Sequence, residues 1–96
     1  MRYDEILRLL GEHRAELERF GVKSLSLFGS VVRHEARENS DVDILVEFSE
    51  SVGLFEFIRL KAYLEKLLGM PVDLVTPDAL KPRLRERILK ETVRVQ

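Results

Sequence analysis

The sequence predicts a small α/β domain of the α+β kind, with a mixed β-sheet of three to four strands flanked by helices. Three observations carry this. Short alternating apolar runs end at Gly or Asp. A long stretch at helical spacing separates two of those runs. The links between runs differ in length. The predicted order is helix, strand, short helix, strand, helix, strand, helix. About eleven residues link the first two strands, which suits an antiparallel pair, because a parallel crossover needs a dozen or more. A whole helix lies between the second and third strands, as a parallel crossover requires.

Residues 4–20 read as one helix. Ile6, Leu9, Leu10, Leu17 and Phe20 share a stripe, His13 lies at its boundary, and Gly21 is a natural stop. Gly11 inside the pattern costs about 1 kcal/mol against Ala. Residues 24–28 alternate, with Leu25 and Leu27 opposite Ser24 and Ser26, and form a short strand ended by Gly29. Ser30 can cap a short helix over 31–36, and 38–40 form a turn. Residues 41–48 are the second strand. Val42, Ile44 and Val46 take one face, and Asp41, Asp43, Leu45 and Glu47 take the other.

Residues 51–68 give the longest helix, with Leu54, Phe57, Leu60, Leu64 and Leu67 as its buried stripe and Gly69 and Pro71 after its end. Phe55, Ile58 and Tyr63 fall off that stripe. Core packing is expected for them, with partner contact as the sharper alternative. Residues 72–76 form the third strand, with Asp73 facing opposite to Val72 and Leu74. Pro77 and Asp78 open a last helical region. It has Leu80, Leu84 and Ile88 on one side and Lys81, Arg83, Arg85, Arg87 and Lys90 around the rest, followed by a short extended piece at 93–95.

The 96 residues make one domain, 1–96, with a small core. Sixteen Lys and Arg against seventeen Asp and Glu give a net charge of −1, which argues against bulk attraction to nucleic acid or an anionic membrane. No cysteine is present, so neither disulfides nor thiolate metal sites are available. Acids by residue 5 argue against a signal peptide, and no run approaches the ~20 apolar residues of a membrane span. A soluble cytoplasmic protein is expected.

The chemistry concentrates in FGSVVRHEARENSDVDILV, residues 28–46, where Gly29 and Ser30 are followed by ten residues and then Asp41-Val42-Asp43. The predicted pairing sets the exit of the first strand beside the entries of the second and third. Gly29, Ser30, Asp41, Asp43 and Asp73 then meet at one sheet edge. Asp41 and Asp43, two apart on a strand, point the same way and repel unless a cation lies between them. Hard oxygen ligands with open positions suit Mg²⁺. Asp73 could serve a second metal or take the proton from an attacking hydroxyl, and two metals clamp the attacking and leaving oxygens of a phosphoryl displacement. Gly29 lets the backbone approach a triphosphate, and Ser30 adds a hydroxyl at a helix N-terminus. Arg33 and Arg37 follow where they either reach phosphate oxygens or remain surface charges, Arg37 being the stronger candidate for nucleotide binding.

The Gly-Ser pair, the ten-residue gap, the DVD and the later PVDLV together resemble the nucleotidyltransferase superfamily with a DNA polymerase β-type core. More narrowly, they resemble the minimal nucleotidyltransferases that act as antitoxins beside HEPN-domain toxins. The likeness covers nearly the whole chain. It implies the nucleotidyltransferase fold, triphosphate binding at Gly29 and Ser30, Mg²⁺ (two ions) at Asp41 and Asp43, and completion of the catalytic and metal site by Asp73. It further implies ATP as substrate, a HEPN-domain toxin as partner, and transfer of AMP to a tyrosine hydroxyl of that toxin. Size agrees, since a chain this short supplies a donor site and leaves acceptor recognition to a protein partner. The alternatives are a non-catalytic antitoxin that neutralises by binding, and a nucleotidyltransferase acting on a small molecule or an RNA end.

Overall fold

A computed structural model describes residues 3–29, 41–91 and 93–94. Its elements are α1 (Tyr3–Glu12), α2 (Arg14–Arg19), β1 (Val22–Phe28), β2 (Val42–Phe48), α3 (Leu54–Leu68), β3 (Val72–Val75), a 3₁₀ turn (Pro77–Ala79), α4 (Pro82–Glu91) and β4 (Val93–Arg94). The short helix expected over 31–36 and the turn at 38–40 lie outside the described residues. The strands form one sheet in the order β3-β2-β1-β4. β1 pairs antiparallel with β2 and with β4, and β2 pairs parallel with β3, in the senses expected from the link lengths.

The sheet has two chemically distinct faces. Leu25, Leu27, Val42, Ile44, Val46, Val72 and Leu74 share one face and join Ile6, Leu10 and Leu17 from the first helices and Leu60, Leu64 and Leu68 from α3 in a single buried core. Cross-strand register puts Phe28, Asp43 and Asp73 together on the other face, with Ser26, Leu45 and Val75 beside them. Phe28 and Leu45 are buried there, so that face is only partly given to solvent.

Four expectations need correction. The helix over 4–20 is two helices, broken at His13 (φ −107°, ψ 22°). The His13 Nδ1–H donates to the Leu9 carbonyl at 2.8 Å, sharing an acceptor that the His13 backbone N–H also uses. A side chain that competes for a backbone acceptor disturbs the helix locally. α3 begins at Leu54, not residue 51. Its N-cap, Gly53, is extended and brings no side chain, and the Glu56 carboxylate folds back over it, 2.8 Å from where a Gly53 Cβ would stand. That is the place of the glutamate in a capping box. The last helical region splits into the 3₁₀ turn and α4, since Pro82 biases the preceding Lys81 away from helical backbone while itself suiting a first turn.

The fourth correction concerns what α3 buries. Leu60, Leu64 and Leu68 face the core, but Leu54, Phe55 and Ile58 are 70%, 76% and 50% exposed. Leu54 is therefore not part of the buried stripe, and Phe55 and Ile58 are not core residues. Tyr63 does pack, with its ring 5.2 Å from that of Phe20. Its hydroxyl is buried with no hydrogen-bond partner among the described residues. Burial, and secondarily the Glu16 carboxylate, push the Tyr63 phenol above its ordinary pKa.

Candidate functional site

The site is built by strand register. β1 ends at Phe28, which lies directly opposite Asp43 on β2. At Gly29 the backbone turns through φ +74°, a region that L side chains rarely enter. A Cβ at Gly29 would run into Asp43 Oδ2 and stand 3.0 Å from its Cγ. Gly29 is thus required both for its backbone angle and for the space it leaves the carboxylate. The backbone at Gly29 and the second DVD aspartate form one cradle.

On its other side Asp43 is paired with Asp73, Cα to Cα, across the parallel β2–β3 ladder. Neighbouring strands lie ≈ 4.7–4.9 Å apart, so two like charges stand directly opposite on one face. Two hydrogen bonds fix that alignment. The Val42 N–H donates to the Pro71 carbonyl at 2.9 Å, and the Val72 N–H donates to Glu65 Oε2 at 3.0 Å. The second bond ties the last turn of α3 to the residue just before Asp73.

Asp41 lies one residue ahead of β2 and is exposed, whereas Asp43 is half-buried and Asp73 exposed. The structure therefore brings Gly29, Asp43 and Asp73 together, with Asp41 at the same end of the sheet. Ser30, Arg33 and Arg37 lie outside the described residues. Among the described residues, no three His, Asp or Glu side chains close into a cage that could hold a metal by protein ligands alone. Mg²⁺ does not need such a cage, since it usually takes one or two carboxylates and fills its remaining positions with water and phosphate oxygens. The donor chemistry of Asp41 and Asp43, with Asp73 beside them, fits that ion.

One feature was not foreseen from the sequence, and a second was raised there only as the alternative to core packing. An open groove of about 830 Å³ lies at the opposite end of β2 and β3, lined among others by Val46, Phe48, Val52, Phe57, Thr76 and Pro77. It lies at the end of the strands away from Asp41, Asp43 and Asp73. The exposed apolar side of α3 is the second feature, and the apolar excess at Phe55 and Ile58 was its only sequence signal.

Comparison with known proteins gives concordant findings. Residues 10–95 match the nucleotidyltransferase domain family. The protein adenylyltransferase MntA of Thermococcus cleftensis is 52% identical over 93 residues, spanning 96% of this chain and 94% of its own length. A minimal nucleotidyltransferase of solved structure superimposes with a TM-score of 0.83 at 46% identity, covering 97% of this chain and 95% of that one. A toxin–antitoxin complex solved with AMP-PNP shares the fold, with a TM-score of 0.73 at 21% identity over 100% of this chain and 73% of the other. No helix among the described residues is long and apolar enough to cross a membrane.

Proposed function

Because this chain belongs to the nucleotidyltransferase domain family, we propose that it transfers AMP from ATP to a tyrosine hydroxyl of a HEPN-domain toxin and so serves as that toxin's antitoxin. The single observation that supports this best is the cradle at Gly29, where backbone at positive φ closes on the Asp43 carboxylate while Asp43 pairs with Asp73. The relative named as a protein adenylyltransferase is matched over nearly the whole of its own length, which supports the same reading for this chain.

In the proposed reaction the acceptor oxygen attacks the α-phosphorus of ATP. The new bond joins that oxygen to phosphorus, the bond to the β-phosphate bridging oxygen breaks, and pyrophosphate leaves. Gly29 lets the turn after β1 approach the triphosphate, with Ser30 and Arg37 as further nucleotide contacts. Asp41 and Asp43 would hold Mg²⁺, with Asp73 available to complete the metal site; the ions supply the positive charge that neutralises phosphate oxygens. In this scheme Asp73, whose register with Asp43 supports the reading, accepts the hydroxyl proton.

The test is incubation of the protein with Mg²⁺, labelled ATP and the purified HEPN-domain protein encoded beside it. Labelled tyrosine on the HEPN protein, lost with Asp41→Ala, is the expected result. An unlabelled HEPN protein, or label that persists with Asp41→Ala, removes the reading.

A further inference from the structure

The outer face of α3 is an apolar stripe with no partner in the fold. Leu54, Ile58 and Ala62 follow one another at four-residue spacing with Phe55 alongside, and all four are exposed. Residues at that spacing are neighbours on a helix surface. The opposite face of α3 is already committed to the core through Leu60, Leu64 and Leu68. A helix apolar on two sides buries the second against something else, and exposed patches rimmed by polar residues mark interaction sites.

The charges around the stripe say what that something is. Arg59, Lys61 and Lys66 are exposed beside it, and among the described residues none of them is ion-paired. The helix's two acids are occupied elsewhere: Glu56 folds over Gly53 at the helix start, and Glu65 accepts from the Val72 N–H. Glu65 keeps its charge while accepting that bond, so three cations and one acid rim the stripe and its net charge is positive. A second copy of this chain is a poor occupant. A two-fold contact makes the patch face itself. Laid antiparallel, such a pair sets the Arg59 and Lys66 flank of one copy against the same flank of the other. Laid parallel, it sets that flank against the flank that carries Lys61. Like charges across an interface suppress that pairing.

We propose that the outer face of α3 docks an amphipathic helix of the acceptor protein, one whose apolar stripe is flanked by Asp and Glu. The inference rests on the protein-to-protein transfer proposed above and adds to it where the acceptor is held. Because α3 packs on the face of the sheet opposite Asp43 and Asp73, docking and chemistry occupy separate surfaces. The acceptor is gripped on the helical side and delivers its hydroxyl to the carboxylate side.

The probe is the purified HEPN-domain protein encoded beside this chain, titrated by calorimetry without nucleotide. Phe55→Ser combined with Ile58→Ser is expected to weaken the complex about 100-fold, as loss of two buried apolar anchors does. Arg59→Glu with Lys66→Glu is expected to weaken it about tenfold and to flatten its salt dependence. In transfer assays both variants raise KM for the HEPN protein and leave KM for ATP and kcat at saturating acceptor unchanged. Unaltered affinity in the apolar double variant with an intact circular dichroism spectrum overturns the proposal, and so does a wild-type dimer that this variant turns into a monomer. A complex that needs the stripe but carries no AMP sinks the transfer reading and leaves the docking surface standing. Transfer that ignores the stripe does the reverse.

Discussion

The carboxylate edge and the outer face of α3 are exposed in different ways. At the edge, backbone does the positioning: Gly29 at positive φ, Asp43 opposite Phe28, Asp73 in register with Asp43, and two hydrogen bonds that set where β2 and β3 begin. On the outer face of α3, side chains of ordinary helical backbone supply apolar area and charge. The first arrangement is costly in isolation, because like charges face each other. The second is costly because apolar surface meets water. Under the two proposals above, each would be relieved by a different ligand, a cation with phosphate at one and a protein at the other. Substitutions of the edge carboxylates should therefore change rate far more than stability, and substitutions on the outer face of α3 should change affinity for the acceptor far more than rate at saturating acceptor.

The largest expected effect is at Asp43. Asp43→Asn keeps the shape and removes one of the two opposed charges. Adenylyl transfer is expected to fall about 100- to 1000-fold, the scale of losing one group that stabilises developing charge. The thermal midpoint measured without metal should stay level or rise, because repulsion with Asp73 is relieved. Mg²⁺ with a non-hydrolysable ATP analogue should raise the midpoint of the wild-type protein by mass action and raise that of the variant much less. A variant that transfers AMP at the wild-type rate would erase the distinction between the two regions.

Gly29→Ala tests the edge from the backbone side. The new methyl group must occupy space held by the Asp43 carboxylate, at a φ of +74° that Ala tolerates poorly. A loss of about 1–3 kcal/mol in chemical denaturation is expected from strain of this kind, with transfer reduced more than tenfold. If the variant is as stable and active as the parent, the Gly29–Asp43 cradle is not a constraint on the site.

That edge was legible in the sequence because strands announce themselves in period two and because Gly29 interrupts the pattern where the chain must turn. Link lengths alone gave the pairing senses of β1, β2 and β3, and those senses bring Asp43 to Asp73. The helical layer was harder to read. Leu54, Phe55 and Ile58 are as apolar as Leu60 and Leu64, and composition cannot say which of two apolar faces meets the core when a helix carries both. Likewise nothing in the 4–20 pattern marks His13 as a break, since the decisive event is a ring nitrogen reaching the Leu9 carbonyl. The contribution of Ser30 and Arg37 falls outside the described residues and rests on the motif.

Glu65 sits between the two regions, on α3 but bonded to β3. Glu65→Ala removes the acceptor for the Val72 N–H and is expected to cost about 1–2 kcal/mol, the price of a part-buried donor left unmatched. Because Val72 precedes Asp73, kcat should fall severalfold while KM for ATP moves little. Glu65→Gln keeps a carbonyl acceptor and should recover most of both losses. Equal damage from Ala and Gln would mean that charge, not the hydrogen bond to β3, is what Glu65 contributes.

The smallest effect should come from Tyr63, inside the helical layer. Its hydroxyl is buried against the Phe20 side of the core without a partner among the described residues, so removing it should help. Tyr63→Phe is expected to raise stability by about 1 kcal/mol in urea titrations at neutral pH, leaving transfer unchanged. The pH dependence has a definite sign. The folded-state pKa is raised, first by burial and then by Glu16, so above about pH 10 the unfolded chain ionises this phenol before the folded one does. Unfolding then releases a proton, and the folded state loses stability as pH climbs from there through the folded pKa. Phenylalanine has no proton to lose, so the stability gap between variant and parent should widen on the alkaline side and stay flat from pH 6 to 9. A gap that narrows above pH 10 would mean the hydroxyl finds a partner that stabilises its ionised form.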